Sequence, residues 1–222
     1  ICRHEITLWN TVPQIADLLA DAAIQNEVDI DSLRLFLLSG DWISLSLPEK
    51  IKSLSHNAKI VSLGGATEGS IWSIWYEINH VDKEWRSIPY GLAMPNQKMY
   101  VIKNNKHCMI GEVGEIHIGG VGVALNYWND SDKTKKSFFE HPQLGRLYRT
   151  GDFGKWNSAG HIEFIGRDDE QVKIRGFRVE LGEIENALYR HESVKECAAV
   201  AIPDELLGNR IRAYVALTPG SE

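Results

Sequence analysis

The sequence predicts an α/β fold in two parts: a larger part that joins a mixed sheet to a β-rich region, and a smaller α+β part. Three observations carry that expectation. Two short apolar runs, Ser32–Ser39 and Ala58–Leu63, flank a helical stretch, and the second runs into a glycine-rich turn, the order of a strand–helix–strand unit. From Met99 onward, short alternating apolar and polar runs are separated by Gly, Asn and Asp, the texture of antiparallel or mixed strands. After the charged step Arg167-Asp168-Asp169-Glu170 the pattern restarts as hairpin, amphipathic helix and two strands, so the boundary is placed there, giving parts 1–168 and 169–222.

Each element follows from its local pattern. Val12, Ile15, Ala16, Leu18, Leu19 and Ala22 recur at helical spacing with Pro13 in the first turn, which predicts a helix over Val12–Ala23. Ser32–Ser39 is too short for a helix and stops at Gly40, so it is read as a buried strand. Leu47–His56 fits a short helix begun at Pro48, and Ala58–Leu63 a second buried strand. Strands are predicted at Met99–Ile102, Gly114–Ile118, Gly160–Ile165 and Gln171–Ile174. The last opens a hairpin to Glu180, followed by a helix over Leu181–His191 and strands at Ala198–Ile202 and Arg212–Leu217.

Composition bounds the function. The chain has 222 residues, 43% of them hydrophobic, and 24 Lys and Arg against 30 Asp and Glu, a formal net charge of −6. That apolar supply excludes a disordered chain, and the acidic balance argues against a face that coats nucleic acid. Cys2, Cys108 and Cys197 stand far apart with no paired spacing, so neither a disulfide framework nor a zinc site is signalled, and a reducing, cytoplasmic setting is the default. No run of about 18 apolar residues offers a membrane span, and the N-terminus lacks the basic and apolar regions of a signal peptide. It opens at Ile1 as though within a structural unit, which suggests a fragment. The eight histidines are scattered without metal spacing and are expected to be structural or solvated.

Three segments could carry chemistry. Gly64-Gly65-Ala66-Thr67-Glu68 lies where a buried strand ends, the crevice in which open α/β sheets hold ligands. Small residues let the backbone approach a flat ligand, a Thr hydroxyl can bond a phosphate oxygen, and a Glu carboxylate is a hard ligand for Mg²⁺. Alone, the segment reads first as a tight loop with a surface Glu. In Tyr148-Arg149-Thr150-Gly151-Asp152 the Asp could accept both hydroxyls of a ribose, although the same residues read as a plain turn. Gly166 to Glu185 interleaves Arg and Lys with Gly, which suits phosphate or ribose contacts as well as a solvated hairpin.

Order and spacing decide among these readings. GGATEGS at 64–70, GEVGEIHIGGVGVALNYW at 111–128, YRTGD at 148–152 and GRDDEQVKIRGFRVELGEIE at 166–185 resemble successive core motifs of the adenylate-forming superfamily, specifically the adenylation domains of nonribosomal peptide synthetases. The resemblance runs along essentially the whole chain. It implies the C-terminal half of the large adenylation subdomain over 1–168 and the beginning of the small C-terminal subdomain over 169–222. It also implies activation of an amino acid's carboxylate with Mg·ATP and transfer of the aminoacyl group to the phosphopantetheine thiol of a peptidyl carrier protein, beside neighbouring condensation or cyclisation domains. Matched residue by residue, Thr67 would contact the α-phosphate and Glu68 the magnesium, while Gly65 and Ala66 flank adenine. Asp152 would hold the ribose with help from Arg167, Asp169 would be the hinge of the small subdomain, and Lys173 to Arg178 would lie on the loop that turns towards pantetheine.

The resemblance has one departure: the family's loop is an aromatic followed by Gly-Pro-Thr-Glu, whereas the aromatic position is Gly64 and the proline position Ala66. The expected cost is a lost stacking partner for adenine, about 1 kcal/mol. The substrate pocket implied by the family register is Asn10, Leu37, Ser39, Leu63, Ile71 and Trp72, a set similar to that of cysteine-activating domains of siderophore synthetases. It would be a small pocket capped by an indole, with the Ser39 hydroxyl near a thiol. Without that register, Leu37, Leu63 and Ile71 read as core positions, and Trp72, Trp75 and Tyr76 as a buried aromatic cluster.

The 222 residues contain no Ser/Thr/Gly-rich phosphate loop ending in Pro-Lys-Gly, no Asp-bearing segment for the substrate ammonium and no C-terminal lysine motif. The fragment alone is therefore expected to be inactive, and Thr218 to Glu222 are expected to lead into an inserted domain. Two alternatives stand beside this reading: a stand-alone acyl or aryl acid ligase of the same superfamily, and a noncatalytic nucleotide-binding module.

Overall fold

The computed structural model describes residues 1–85, 87–167, 171–174, 177–204 and 208–218. Asp169, expected to be the hinge, and the last four residues lie outside them. The chain divides into two compact units, Ile1–Asp168 and Asp169–Glu222.

The first unit opens with β1 (Leu8–Thr11), α1 (Pro13–Gln25), β2 (Leu35–Ser39), α2 (Leu47–Leu54), β3 (Lys59–Gly64), β4 (Ile74–Glu77) and β5 (Leu92–Ala93). The strands form one sheet in sequence order, with β1, β2 and β3 parallel and β4 and β5 antiparallel. Phe36, Leu38 and Ile60 are fully buried on one sheet face, in a cluster with Ala16 and Ala23 of α1 and Leu47 and Ile51 of α2. Pro13 starts α1, where its missing N–H is no loss. Lys50 of α2 ties the helices together, with Nζ 2.6 Å from both Asp17 and Asp21 of α1.

A second sheet follows, built from β6 (Gln97–Lys103), β7 (Lys106–His107), β8 (Gly114–Gly120), β9 (Phe138–His141), β10 (Gly145–Trp156) and β11 (Ile162–Arg167), with α3 (Ser131–Ser137) between β8 and β9. Its order is β11-β10-β8-β6-β7 with β9 on β10, and all its pairings are antiparallel. Alternation places Met99, Val101, Ile116, Ile118, Tyr148 and Ile162 in one core cluster, which also takes Ile74 of the first sheet. The two sheets therefore share apolar packing directly beneath the 64–73 loop.

The second unit consists of the hairpin β12 (Gln171–Ile174) and β13 (Phe177–Glu180), helix α4 (Leu181–Tyr189), and the hairpin β14 (Val194–Asp204) and β15 (Gly208–Leu217). Leu181 and Ala199 are buried, and the Glu185 carboxylate of α4 accepts a 2.8 Å hydrogen bond from the Ala199 N–H. Among the described residues no helix is long and apolar enough to cross a membrane.

Candidate active site

The 64–73 loop turns tightly because of what surrounds its glycine. Gly65 sits at φ 140°, and a Cβ there would meet the Ile71 carbonyl oxygen and the Ser73 nitrogen at 2.7 Å, so only glycine fits. Thr67–Gly69 then forms a 3-10 turn that leaves Thr67 exposed and buries Glu68. The turn is fastened from several sides. Ser73 donates its N–H to the Gly64 carbonyl (2.8 Å) and its hydroxyl to the Gly69 carbonyl (2.9 Å), which also accepts from Gln97 Nε2 at 3.1 Å.

The segment after β8 closes over the same turn. Ala124 donates its N–H to the Glu68 carbonyl (2.8 Å), Ser70 donates its hydroxyl to the Gly122 carbonyl (2.8 Å), and Tyr127 donates its hydroxyl to Glu68 Oε1 at 2.6 Å. Burial, reinforced by the Glu68 carboxylate, pushes the Tyr127 phenol up, so it stays a donor at neutral pH. Tyr127 is held in turn by its N–H on the Thr134 hydroxyl at 3.0 Å and by Lys133 over its ring. Sequence reasoning placed Tyr127 in a motif without giving it this task.

Thr150, Gly151 and Asp152 form a bulge in the middle of β10, where pairing with β8 jumps from Arg149↔His117 to Phe153↔Glu115. Gly151 has the positive φ of 74° that this geometry needs. The Thr150 hydroxyl donates to the Ile116 carbonyl (2.6 Å) and accepts from the Asp152 N–H (3.0 Å), and the Gly151 N–H donates to Glu115 Oε1 (3.2 Å). Asp152 is buried and meets Arg167 of β11, whose guanidinium donates to Asp152 Oδ1 at 2.5 Å and to the Thr150 carbonyl at 3.0 Å. Asp152 and Arg167, both predicted as ribose ligands, are thus brought together by strand pairing, as direct register partners.

Charge around the bulge is crowded. Burial raises the Glu115 carboxyl above the usual carboxylate range, against the pull of Arg149 and the Gly151 N–H. On the same strand, burial lowers the His117 imidazole to about 4, helped by Arg149 and His141 and opposed by the hydrogen bond between its Nδ1 and the Glu115 carbonyl. His117 is therefore neutral at physiological pH, in keeping with a structural histidine. Among the described residues no three acidic, His or Cys side chains group as a metal cage.

Four of the six predicted pocket residues share a sheet face. Asn10 is the register partner of Leu37, and Ser39 of Leu63. Side chains alternate along a strand, so these four point away from the face that Phe36, Leu38 and Ile60 pack on α1 and α2. Leu63 is buried, Leu37 and Ser39 half-buried and Asn10 exposed, all on the parallel strands β1, β2 and β3. Ile71 and Trp72 come after the 64–68 loop. Ile71 is not a core position: its side chain is 65% exposed and its backbone sits at φ 71°, a strained conformation for a β-branched residue. Trp72 is half-buried. Nor do the aromatics form one buried cluster: Trp75 is exposed, and Tyr76 packs edge-on against Trp85 and His161.

Tyr90 fastens the 64–73 loop from the segment before β5. Its hydroxyl oxygen lies 2.9 Å from the Gly65 nitrogen and accepts its N–H, and its phenol is raised by burial and by the charge of Asp152. No motif in the sequence pointed to it.

This geometry accords with known proteins. Residues 1–128 match the family model described as AMP-binding enzyme, and residues 183–222 the model of the AMP-binding enzyme C-terminal domain. Bacitracin synthase 1 of Bacillus licheniformis is 52% identical over 89% of this chain, and pyochelin synthetase PchF of Pseudomonas aeruginosa 46% identical over 90%. The chain spans only 4% and 11% of those two proteins. A solved nonribosomal peptide synthetase protein containing adenylation and PCP domains, bound to a vinylsulfonamide inhibitor, superposes on all of this chain with a TM-score of 0.90 at 25% identity, over 39% of its own length. The chain belongs to the AMP-binding enzyme family, within the adenylation domains of nonribosomal peptide synthetases.

Proposed function

We propose that this chain supplies the nucleotide-binding turn, the ribose-binding bulge and one wall of the amino-acid pocket of a domain that activates L-cysteine with Mg·ATP. The observation that carries this reading is the buried pairing of Asp152, in the β10 bulge, with Arg167 of β11, beside a 64–68 turn that buries Glu68 and leaves Thr67 exposed. In the activation step a carboxylate oxygen of the amino acid attacks the α-phosphorus of ATP, the bond to pyrophosphate breaks, and the mixed anhydride becomes an acyl donor for a thiol. Thr67, exposed on its turn, would donate to an α-phosphate oxygen. Asp152 would accept the ribose hydroxyls, with Arg167 fixing its carboxylate. Glu68 is a single buried carboxylate beside a backbone loop, the donor set Mg²⁺ takes when phosphates and water complete its shell, and the residues present fit that ion.

Asn10, Leu37, Ser39 and Leu63, with Ile71 and Trp72 after the loop, would select the side chain, Ser39 offering a hydroxyl to the thiol. The acceptor would be the phosphopantetheine thiol of a peptidyl carrier domain. Lys173 of the β12–β13 hairpin belongs to the loop expected to face it, although residues 175 and 176 at its tip lie outside the described residues.

By themselves these 222 residues, which hold neither the phosphate loop nor the lysine motif, would not form an adenylate. The test is a chimaera in which they replace the matching residues of an adenylation domain with another specificity, assayed by pyrophosphate exchange across an amino-acid panel. Cysteine-dependent exchange that Glu68→Ala abolishes is expected. Exchange with a different amino acid would sink the cysteine assignment, and exchange by the 222 residues alone would refute their inactivity.

A further inference from the structure

Gly64 is a glycine because a ring already occupies the space beside it. A Cβ at position 64 would lie 1.9 Å from Cε2, 2.6 Å from Cζ and 2.8 Å from the hydroxyl oxygen of Tyr90. Any side chain at 64 would have to displace that ring.

The backbone holds Tyr90 there from both sides. Its N–H donates to the Ile162 carbonyl (2.8 Å), and Gly91 and Ile162 exchange bonds at 3.2 and 2.9 Å. Gly91, at φ 110°, would place a Cβ 2.0 Å from the Trp75 carbonyl oxygen, so this approach also requires glycine. Phe164 backs the ring edge-on at 5.9 Å. Held so firmly, Tyr90 is still only half-buried: its ring lies against Gly64 and its hydroxyl on the Gly65 N–H, and the Phe164 behind it belongs to β11, the strand that pairs Arg167 with Asp152. A planar aromatic surface beside a side-chain-free peptide, packed on the strand that pairs with the Asp152 bulge, is a platform for a heterocyclic base.

We propose that Tyr90 is the base-contacting aromatic residue of the nucleotide site, filling from a distant point in the chain the place that Gly64 leaves without a side chain, while its hydroxyl fixes the Gly65 peptide. The proposal rests on the nucleotide reading of the 64–68 turn and Asp152. Glycine at 64 and tyrosine at 90 are then a complementary pair, and the apparent loss of an aromatic at 64 is a relocation.

Binding of AMP and of ribose 5-phosphate by the 222-residue chain, by Tyr90→Leu and by Tyr90→Phe tests it. Tyr90→Leu should weaken AMP about tenfold, the scale of one base–aromatic stack, and leave ribose 5-phosphate within about twofold. Equal weakening of both ligands would make Tyr90 a structural support only and overturn the proposal, as would no weakening. Tyr90→Phe preserves the packing, so it covers the case in which the Leu variant does not fold. Nuclear Overhauser contacts between tyrosine ring protons and adenine H2 or H8 should appear in the unmodified chain and vanish in Tyr90→Phe. AMP bound without such contacts overturns the proposal alone, whereas no AMP binding by the unmodified chain overturns the nucleotide reading along with it.

Discussion

His117 shows how a single residue can carry a pH dependence for the strand that supports the site. It is 2% exposed on β8, faced by the Glu115 carboxylate on its own strand, Arg149 on β10 and His141 on β9, with Phe139 against its ring. Its folded value of about 4 lies below the ordinary 6.5. Between those values the unfolded chain binds a proton that the folded chain refuses, so the stability it confers is complete above about pH 6.5 and declines as pH falls towards 4, by up to roughly 3 kcal/mol. Glu115 acts in the opposite sense: its raised carboxyl favours the folded chain at low pH, and that contribution is lost as pH rises above the ordinary carboxylate value. Urea unfolding of the unmodified chain should therefore show a midpoint that drops from pH 7 to pH 4.5, and His117→Gln should flatten that drop. An unchanged slope in the variant would mean that other groups set the acid sensitivity.

At the scale of an element, the bulge in β10 is the clearest case of local chemistry placing a functional side chain. Thr150 both donates to the Ile116 carbonyl and accepts from the Asp152 N–H, and it is buried. Thr150→Val keeps the shape and removes both bonds, leaving a carbonyl and an N–H unsatisfied, at about 1–3 kcal/mol each. The variant should lose about 2–6 kcal/mol in urea unfolding and bind AMP more weakly at temperatures where it is still folded. Full stability would show that the bulge is held by strand pairing alone.

This element also marks the limit of what was legible. The residues YRTGD, which form a bulge within a strand, read in the sequence as a plain turn, because Gly and Asp signal a break whether the chain reverses or only bulges. The strongly patterned elements, α1, β2, α2, β3, and the β12–β13 and α4 stretch, were visible from apolar spacing. β4 was hidden by its mixed aromatic and charged residues, Trp75, Tyr76 and Glu77. α3 has no apolar residue at all and is begun by Asp130 capping the Lys133 N–H at 2.9 Å. In the site, Glu68, Asp152 and Arg167 were singled out because their motifs are contiguous, and the structure places Glu68 buried in its turn and Asp152 on Arg167. Tyr90 and Glu115 were not assigned roles, because each acts through a partner far away in sequence.

Across the whole chain, stability should be uneven. The first unit contains two apolar clusters, with Phe36, Leu38, Ile60, Val101, Ile116 and Ile118 fully buried. In the unit from Asp169 on, the buried apolar residues among those described are Leu181 and Ala199, while Val200, Tyr214, Val215 and Leu217 on the β14–β15 hairpin are exposed. A small unit buries a smaller share of its surface than a large one, and local opening follows burial. Hydrogen exchange followed by mass spectrometry should therefore find β14 and β15 opening well before β2, β3 and β8, with protection at least tenfold lower, a gap of about 1.4 kcal/mol. Added AMP should raise protection in the first unit, at the 64–73 loop and around Asp152. Protection that is uniform across both units would contradict this division, and AMP-induced protection confined to the second unit would remove the nucleotide from the site built around Glu68 and Asp152.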